Sequence, residues 1–324
     1  MFAERLAGQG LRVLDDATLE RAMTRHRVRY TAGIERGFAK ALRQETGADA
    51  VLIPSLELYD EVLPPRVGVF ARLVSTGEAP AVLWIDGTGA AGDDSPGILG
   101  IGMIEDPRAL LGRAVETLWV SLARHLAEGG DRAGPGPRRF RPKLVYRSEA
   151  LDPARPYSIA IVPFFNQSAR RHGGEIIALH MMRNLAAAPN LTVVEPGIVR
   201  EELLRFRIIM SDGISLSDTE TILNAVNADL VLNGEMFEYQ ERPWVGGAPQ
   251  ADFAVLFLER KSRRVVYSSY SHNAGDDRVF FFDWGKVNTA HAMVSRMARA
   301  ITEQLLRAPM AAEAPRGARG VERR

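Results

Sequence analysis

The chain alternates between segments with the hydrophobic spacing of strands and segments with that of helices. The apolar run SIAIVPFF, from Ser158, is typical of a buried central strand. Near the end of the chain, apolar side chains recur at the spacing of one helix face, at Met293, Met297, Ile301 and Leu305. This spacing predicts a helix over 288–306. The alternation of the two kinds of segment indicates an α/β fold.

The same reasoning predicts the remaining elements. In the second half we expect strands over 158–165, 191–194, 228–239, 253–260 and 264–271, and helices over 175–187, 199–206 and 217–226. The third of these helices should begin at Ser217, because Ser217-Asp-Thr-Glu220 has the capping-box pattern. In the first half we expect strands over 48–58, 67–73 and 81–85, and a last helix over 108–126.

The first half of the chain also resembles the second half. LRVLDDATLERAMTRHRVRYTAGI, from Leu11, aligns without a gap to LTVVEPGIVREELLRFRIIMSDGI, from Leu191. The register continues from GADAVLIPSLELYDE, at Gly47, to NADLVLNGEMFEYQE, at Asn227. After a small change in length, AGDD occurs in both segments. The repeat predicts two tandem copies of one small mixed-sheet α/β sandwich module.

The first copy has no counterpart of the opening strand. A segment equivalent to SIAIVPFF would lie before Met1. We therefore expect the first module to leave a cleft and unpaired backbone groups. Three explanations stay open: a start upstream of Met1, a trimmed chain, or a degenerated copy. Either of the first two would also hide a signal peptide, because MFAERLAGQG has no apolar core of its own.

Composition shifts divide the chain into four segments. The first module is predicted over 1–129, and the second over 156–308. Between them, 130–155 is rich in Pro, Gly and Arg, which predicts a linker. The tail, 309–324, is predicted to be disordered.

Charge and cysteine content narrow the function classes. The 324 residues have a net charge of +1, so no global field favours nucleic acid as a partner. Cysteine is absent, which excludes disulfides, thiolate metal sites and a cysteine nucleophile. No apolar run approaches the ~18 residues of a membrane-spanning helix.

One glycine motif is a candidate for nucleotide binding. Gly87-Thr-Gly89-Ala-Ala-Gly92 fits G-x-G-x-x-G and follows the strand-like AVLWID. A dinucleotide site also needs a helix to begin at this point, but DDSPG follows and disfavours one. The second copy has YSHNAG here. A flexible loop at the strand exit is therefore the preferred interpretation, and we expect no cofactor.

Adjacent carboxylates in the two AGDD segments are the only metal candidates. They are Asp93, Asp94, Asp276 and Asp277. Carboxylate oxygens suit Mg²⁺ or Ca²⁺, but Asp after Gly also stabilises turns by accepting hydrogen bonds from nearby amides. A structural turn is preferred, and the sequence assigns no catalytic residue. In the linker, five basic residues are candidates for phosphate contact, with a solvated basic linker as the preferred interpretation: Arg138, Arg139, Arg141, Lys143 and Arg147.

The second copy resembles a group of bacterial envelope domains. The pattern is an opening strand ending in Pro163, Phe164 and Asn166, followed by Ala-Asp-x-Val-x-x-Gly over 228–234. It resembles the TolB amino-terminal-like domains, the penicillin-binding-protein activator lipoproteins and the curli secretion channel lipoprotein. In the first copy, Pro54 replaces the final Gly. The resemblance implies an α/β domain that docks partners and has no active site to transfer.

The function predicted from these observations is a non-catalytic protein-binding or assembly module of the bacterial envelope. We expect protein partners, a periplasmic or outer-membrane location, and peripheral contact with the membrane, and we leave the oligomeric state open. One alternative is a nucleotide- or metal-binding α/β enzyme. The other is a cytosolic scaffold with tandem domains.

Overall fold

The computed structural model describes residues 2–29, 32–94, 102–129, 138–208, 214–242, 247–279 and 285–307. Over these ranges the chain is a mixed α/β sandwich, which confirms the predicted fold class. We call residues 2–129 the N-terminal half and residues 138–307 the C-terminal half. Among the described residues, no helix combines the length and apolarity needed to cross a bilayer.

The N-terminal half alternates helices with one antiparallel sheet. Its elements are α1 (Phe2–Gly8), α2 (Asp16–Arg25), α3 (Arg36–Thr46), β1 (Ala50–Asp60), β2 (Arg66–Ser75), β3 (Val82–Ala91) and α4 (Pro107–Glu128). The strands form a sheet in the order β1-β2-β3.

The C-terminal half is built around a larger mixed sheet. Its elements are β4 (Leu144–Arg147), β5 (Tyr157–Ile161), β6 (Phe165–Asn166), α5 (Gly173–Ala186), β7 (Leu191–Val193), α6 (Pro196–Arg205), α7 (Leu216–Ala225), β8 (Leu230–Gln240), β9 (Gln250–Glu259), β10 (Arg264–Ala274) and α8 (Ala290–Leu305). The strand order is β4-β10-β9-β8-β5-β7, with β6 also beside β8. Strand β5 is parallel to both of its neighbours, and its almost completely buried side chains explain its apolar sequence.

From α2 onward, the N-terminal half has the element order that the C-terminal half has from α6 onward. In the ungapped alignment that places Leu11 on Leu191, α2 and α6 begin and end together, and so do β1 and β8. The turns after β3 and β10 also correspond. Gly92 N donates to Pro65 O at 2.8 Å, and Gly275 N donates to Pro249 O at 2.8 Å. The sequence alignment thus places these elements on one another, and the tandem repeat itself stays a prediction.

Five layers of helices and sheets stack on one another. Helices α6 and α7 cover one face of the large sheet, and α5 and α8 cover the other. The three-stranded sheet lies against the far side of α5 and α8, where the Phe70 ring lies 4.8 Å from His180 and 4.7 Å from His291. Helix α4 covers its outer face, through Leu118 and Leu122. The helices α5 and α8 therefore have a sheet on each side.

Two predicted boundaries are corrected by local geometry. The strand predicted over 158–165 is interrupted between β5 and β6, at Pro163, which has no N–H to donate to a ladder. Helix α7 begins earlier than the capping box predicted. Its N-cap is Ser215, whose Oγ accepts from Asp218 N at 3.1 Å. The sequence offers the same spacing of a serine and an acidic residue twice, and the earlier pair caps the helix.

Part of the predicted linker folds onto the C-terminal half. Strand β4 pairs antiparallel with β10, and Phe140 is fully buried in the main core. Arg139 donates to Gly275 O at 2.6 Å, and Arg147 Nε donates to Leu305 O at 3.1 Å. These arginines therefore bind backbone carbonyls rather than remaining solvated. Residues 130–137 and the tail over 309–324 lie outside the described residues, and the module boundaries stay a prediction.

The glycine motif is part of a strand rather than a loop. Strand β3 continues to Ala91 and pairs with β2 through Gly87 and Gly89. The absent side chains make room for neighbours. A Cβ at Gly87 would lie 2.3 Å from the Phe70 ring, and one at Gly89 would lie 2.7 Å from Thr289 Oγ1 of the α8 cap. The flexible strand-exit loop is therefore a wrong prediction, because these glycines allow close packing that no local pattern reveals.

Candidate functional site

The outer edge of β1, on the side away from β2, is the candidate functional site. Within the described residues, β1 pairs only with β2. Its counterpart β8 pairs with β9 on one side and with β5 and β6 on the other. In β8, Leu232 O accepts from Val162 N at 2.9 Å and Met236 O accepts from Gln167 N at 2.8 Å. At the aligned positions in β1, Leu52 and Leu56, the described part of the chain places no such strand.

Pro54 of β1 and the aligned residue of β8, Gly234, show how the surroundings of the two strands differ. In β8, Gly234 is required, because a Cβ there would lie 2.3 Å from the Phe164 ring and 2.4 Å from Ala254 O. In β1, no such ring covers the position, and the residue there, Pro54, is exposed. Proline removes one donor from the outer edge, as is common in edge strands.

Exposed apolar side chains lie along this edge and on the following turn. Leu56 is 56% exposed, Val62 is 63% exposed and Leu63 is 59% exposed. Leu56 lies on β1, and Val62 and Leu63 lie on the β1–β2 turn, and we refer to the three as the apolar strip. Single exposed apolar residues are ordinary, but a strip beside an unpaired edge is typical of an interaction site.

Two arginines from the C-terminal half hold the β1–β2 turn in place. Arg242 Nη2 donates to Val62 O at 2.7 Å, and Arg242 Nε lies 3.2 Å from Asp60 Oδ2. Arg170 donates to Glu57 O. The turn is therefore attached at several backbone and side-chain atoms, while the strip of apolar side chains stays exposed.

A small cleft of about 650 Å³ lies beside this end of β1. Tyr59 and Arg170 line it, with Tyr239 and Glu241. Burial raises the pKa of Tyr239 well above its ordinary value, and burial also raises the pKa of Glu241. Glu241 Oε2 accepts from Ala290 N at 2.8 Å, so this carboxyl caps the start of α8. Its role there is to hold the helix in place.

The four predicted metal candidates are turn residues. Asp94 Oδ2 accepts from Ala91 N at 2.7 Å, and Asp277 Oδ2 accepts from Ala274 N at 3.2 Å, in equivalent turns. Burial raises the pKa of Asp94. Asp93 and Asp276 precede these turn residues, and within the described ranges no group of three potential ligands surrounds any of the four. The structure gives Asp94 and Asp277 the turn role that the sequence favoured.

Asn166 and Ser168 organise the turn before α5. Asn166 Nδ2 donates to Arg170 O at 2.7 Å, and Ser168 N donates to Asn166 Oδ1 at 3.1 Å. The N-cap of α5 is His172, whose side chain makes no cap hydrogen bond. These contacts position Arg170 against β1.

The sequence did not identify Arg170 and Arg242 as residues that shape the edge. Both contact residues that lie far away in the chain, in the other half of the molecule. Neither arginine belongs to a motif, so only the fold reveals their role.

Comparisons with known proteins find likeness in structure only. No protein-family model matches the sequence, and no curated protein matches it. The PelC dodecamer from Paraburkholderia phytofirmans is 14% identical, with a TM-score of 0.35, over 52% of this chain and 97% of that one. The LpoB C-terminal domain from Salmonella enterica is 14% identical, with a TM-score of 0.30, over 39% of this chain and 87% of that one. Lipoprotein GNA1162 from Neisseria meningitidis is 19% identical, with a TM-score of 0.29, over 37% of this chain and 81% of that one.

Proposed function

We propose that this chain is a non-catalytic protein-binding module of a bacterial cell envelope, made of two tandem copies of one α/β module. Its open β1 edge takes an extended segment of a partner protein. The observation that carries the proposal is the pairing of β1. In the described chain it has one neighbouring strand, where its counterpart β8 has three.

An added strand would give hydrogen-bond partners to the backbone groups along the outer edge of β1. Backbone N–H and C=O groups along an edge need partners, and strand addition supplies them through main-chain hydrogen bonds. Pro54 removes one donor, so the partner must tolerate one missing bond near the middle of the strand. Leu56 and Val62 then offer apolar contacts that select particular side chains of the incoming segment.

Two sequence features that suggested nucleotide or metal binding have structural roles in this fold. The glycine motif makes room for Phe70 and α8, and the aspartates hold turns. The envelope location is supported by the resemblance of the segment around Pro163 and Phe164 to envelope domains. The element order over 173–305 agrees with that resemblance, because it has the strand, helix and hairpin order of those domains.

Site-specific photo-cross-linking in the source bacterium tests the proposal. A photoreactive phenylalanine analogue replaces Leu56 in the full chain, and a matched variant carries it at Leu204, which is 58% exposed on α6. We expect a discrete adduct in the envelope fraction for position 56 and none for position 204. Hydrogen exchange on the isolated complex should then show protection of the amides of Leu52 and Leu56.

Three outcomes would contradict the proposal. One is equal cross-linking at both positions. Another is recovery of the native protein from the cytosol. The third outcome is tested with a longer chain, which includes any residues that the genome encodes before Met1. If those residues protect the β1 amides in the purified chain, the edge is filled internally and no partner strand binds there.

A further inference from the structure

A second and larger cleft lies at the contact between the halves. It measures about 1160 Å³ and opens between β3 on one side and helices α5 and α8 on the other. It is lined from β3, the end of α4, α5 and α8, so both halves contribute. This cleft borders β3, whereas the open edge belongs to β1, at the other side of the same sheet.

Arginines dominate the charged lining of this cleft. Four arginines face it, against two carboxylates, Asp86 and Glu128. Arg183 pairs with Asp86, and its Nη1 donates to Ser295 Oγ at 2.6 Å. This fixes the Arg183 guanidinium against the wall. The remaining positive charge therefore comes mainly from α8.

Two arginines of α8 have unused donors. Burial lowers the pKa of Arg296, against the opposing effect of the Asp94 carboxylate, and its guanidinium lies 5.9 Å from the Phe140 ring centroid, with no hydrogen bond to a side chain among the described residues. Arg299 Nε lies 3.5 Å from Glu303 Oε1, but its buried Nη2 has no hydrogen-bond partner. Buried donors without partners are rare in folded proteins and call for an explanation.

His291 is a second, independent sign of a ligand. It lines the cleft, is 1% exposed, and neither ring nitrogen has a hydrogen-bond partner. Burial lowers the pKa of His291 to about 3, and the positive charge of Arg183 contributes. The ring is thus neutral at physiological pH, and it can donate one N–H without adding charge.

We propose that this cleft binds a ligand that carries oxyanion groups, either phosphate or carboxylate. Arg296 and Arg299 hold an oxyanion through guanidinium donors, which match both groups in geometry. His291 donates a further hydrogen bond at the inner end. This activity is independent of strand binding at β1 and goes beyond the proposed function.

The size of the cleft indicates an extended ligand. Small-molecule pockets typically measure about 300–1,000 Å³, so this cleft exceeds what one phosphate or one sugar unit would fill. A ligand with several oxyanions along a chain fits both the volume and the spread of the arginines over α5 and α8. Phosphate-bearing and carboxylated polymers share this chemistry.

Isothermal titration calorimetry of the full chain tests the proposal with two probes. One is inorganic tripolyphosphate and the other is trigalacturonate, so the two arms separate phosphate from carboxylate recognition. We expect saturable binding of at least one probe, which weakens as NaCl rises because the contacts are ionic. Arg296→Ala should weaken that binding about tenfold or more, because it removes a charge-assisted hydrogen bond.

The matched control is Arg264→Ala, which removes an exposed arginine on β10, away from the cleft. It should leave the affinity within about twofold of the wild type. Arg296→Lys keeps the positive charge but loses the planar guanidinium, so its affinity for the probe should lie between those of the wild type and Arg296→Ala. This variant replaces Arg296→Ala in the test if the alanine variant does not fold. The proposal is overturned if neither probe binds at millimolar concentration, or if Arg264→Ala weakens binding as much as Arg296→Ala.

Discussion

Equivalent positions on the two sheets are covered by helices in the N-terminal half and are not buried in the C-terminal half. In the N-terminal half, one face of β2 and β3 lies against α5 and α8, where the rings of Phe70, His180 and His291 all contact one another. The strand registers identify the equivalent positions. Gly68, Phe70, Gly87 and Gly89 correspond to Asp252, Ala254, Tyr270 and His272. In the C-terminal half, α6 and α7 cover the part of this face around Leu258, whereas Asp252, Ala254, Tyr270 and His272 are not buried, and Tyr270 Oη donates to Asp252 Oδ2 at 2.8 Å.

The difference shows that three glycines decide which face can receive a helix pair. A Cβ at Gly68 would lie 2.9 Å from His291 Nδ1, and a Cβ at Gly89 would lie 3.0 Å from Ala292 N. The equivalent residues of the C-terminal half carry large or charged side chains. The stacking of one half on the other is therefore not repeated, although the element order from α2 onward is that from α6 onward.

The largest effect is expected at a buried ion pair between the two halves, which joins Arg72 of β2 to Glu195, the N-cap residue of α6. Arg72 Nη2 lies 3.4 Å from Glu195 Oε1, and the two side chains are 3% and 0% exposed. The Glu195 carboxylate also accepts from Ile34 N at 3.1 Å. Glu195→Ala leaves the Arg72 charge buried without its partner, so the free energy of unfolding should fall by about 3–5 kcal/mol. Urea denaturation followed by circular dichroism measures it.

The equivalent residue of the C-terminal half suggests a second substitution that should restore stability to Glu195→Ala. Leu256 stands at the position equivalent to Arg72. The double variant Arg72→Leu/Glu195→Ala should therefore recover much of the lost stability, because no charge is then buried alone. A loss below about 1 kcal/mol for Glu195→Ala, on the scale of a surface change, would show that the pair does not hold the halves together.

The second prediction concerns acid sensitivity of the contact. Burial lowers the pKa of His180 well below 6.5 and the pKa of His291 to about 3. Because the folded pKa values are depressed, the unfolded chain takes up protons first as the pH falls below 6.5. Stability is thus fully present above pH 6.5 and declines toward pH 3, by about 1.4 kcal/mol per pH unit for each histidine.

Replacing both histidines isolates this contribution. The variant His180→Phe/His291→Phe should lose less stability than the wild type between pH 7.5 and pH 5.5, by about 3 kcal/mol for the two sites. Urea denaturation at the two pH values measures the difference. His272→Phe, at an exposed histidine in the C-terminal half, is the control and should change nothing. An equal acid response of the wild type and the double variant would refute the assignment.

The third prediction tests the glycines directly. Gly89→Val places a side chain against Thr289 and the backbone of α8, so the free energy of unfolding should fall by about 2–3 kcal/mol. The equivalent change in the other half, His272→Val, replaces an exposed side chain and should stay within about 0.5 kcal/mol. Thermal and urea unfolding of the pair measure both values. Equal effects at the two positions would show that the glycine does not determine the packing.

The smallest effect is expected at the two strand edges. Gly234→Ala adds a Cβ against Phe164 and Ala254 O, and should reduce stability by about 1–2 kcal/mol. Pro54→Ala, at the equivalent position of β1, should stay within about 1 kcal/mol, because it changes mainly the entropy of the unfolded chain. Urea denaturation compares them. A larger loss for Pro54→Ala would mean that the β1 edge is covered by packing that this structure does not contain.

Much of the fold could be predicted because its signals are local. Helix α8 was expected over 288–306 and is observed over Ala290–Leu305, with Met293 and Met297 fully buried. The strands over 230–240 and 264–274 were placed within a few residues of their bounds. The candidate site could be predicted only in part, because the sequence aligns β1 with β8 but does not reveal the contacts of Arg170 and Arg242.

The sequence by itself determined the type and order of the elements, because periods of 2 and 3.6 residues reflect which face of each element is buried. The alignment of Leu11 with Leu191 determined which elements correspond. Only the tertiary structure decided that the glycines of β3 admit α8, that residues 138–147 join the large sheet, and that Arg296 and Arg299 face a cleft. These features depend on contacts between residues far apart in the chain, and such contacts leave no period in the sequence.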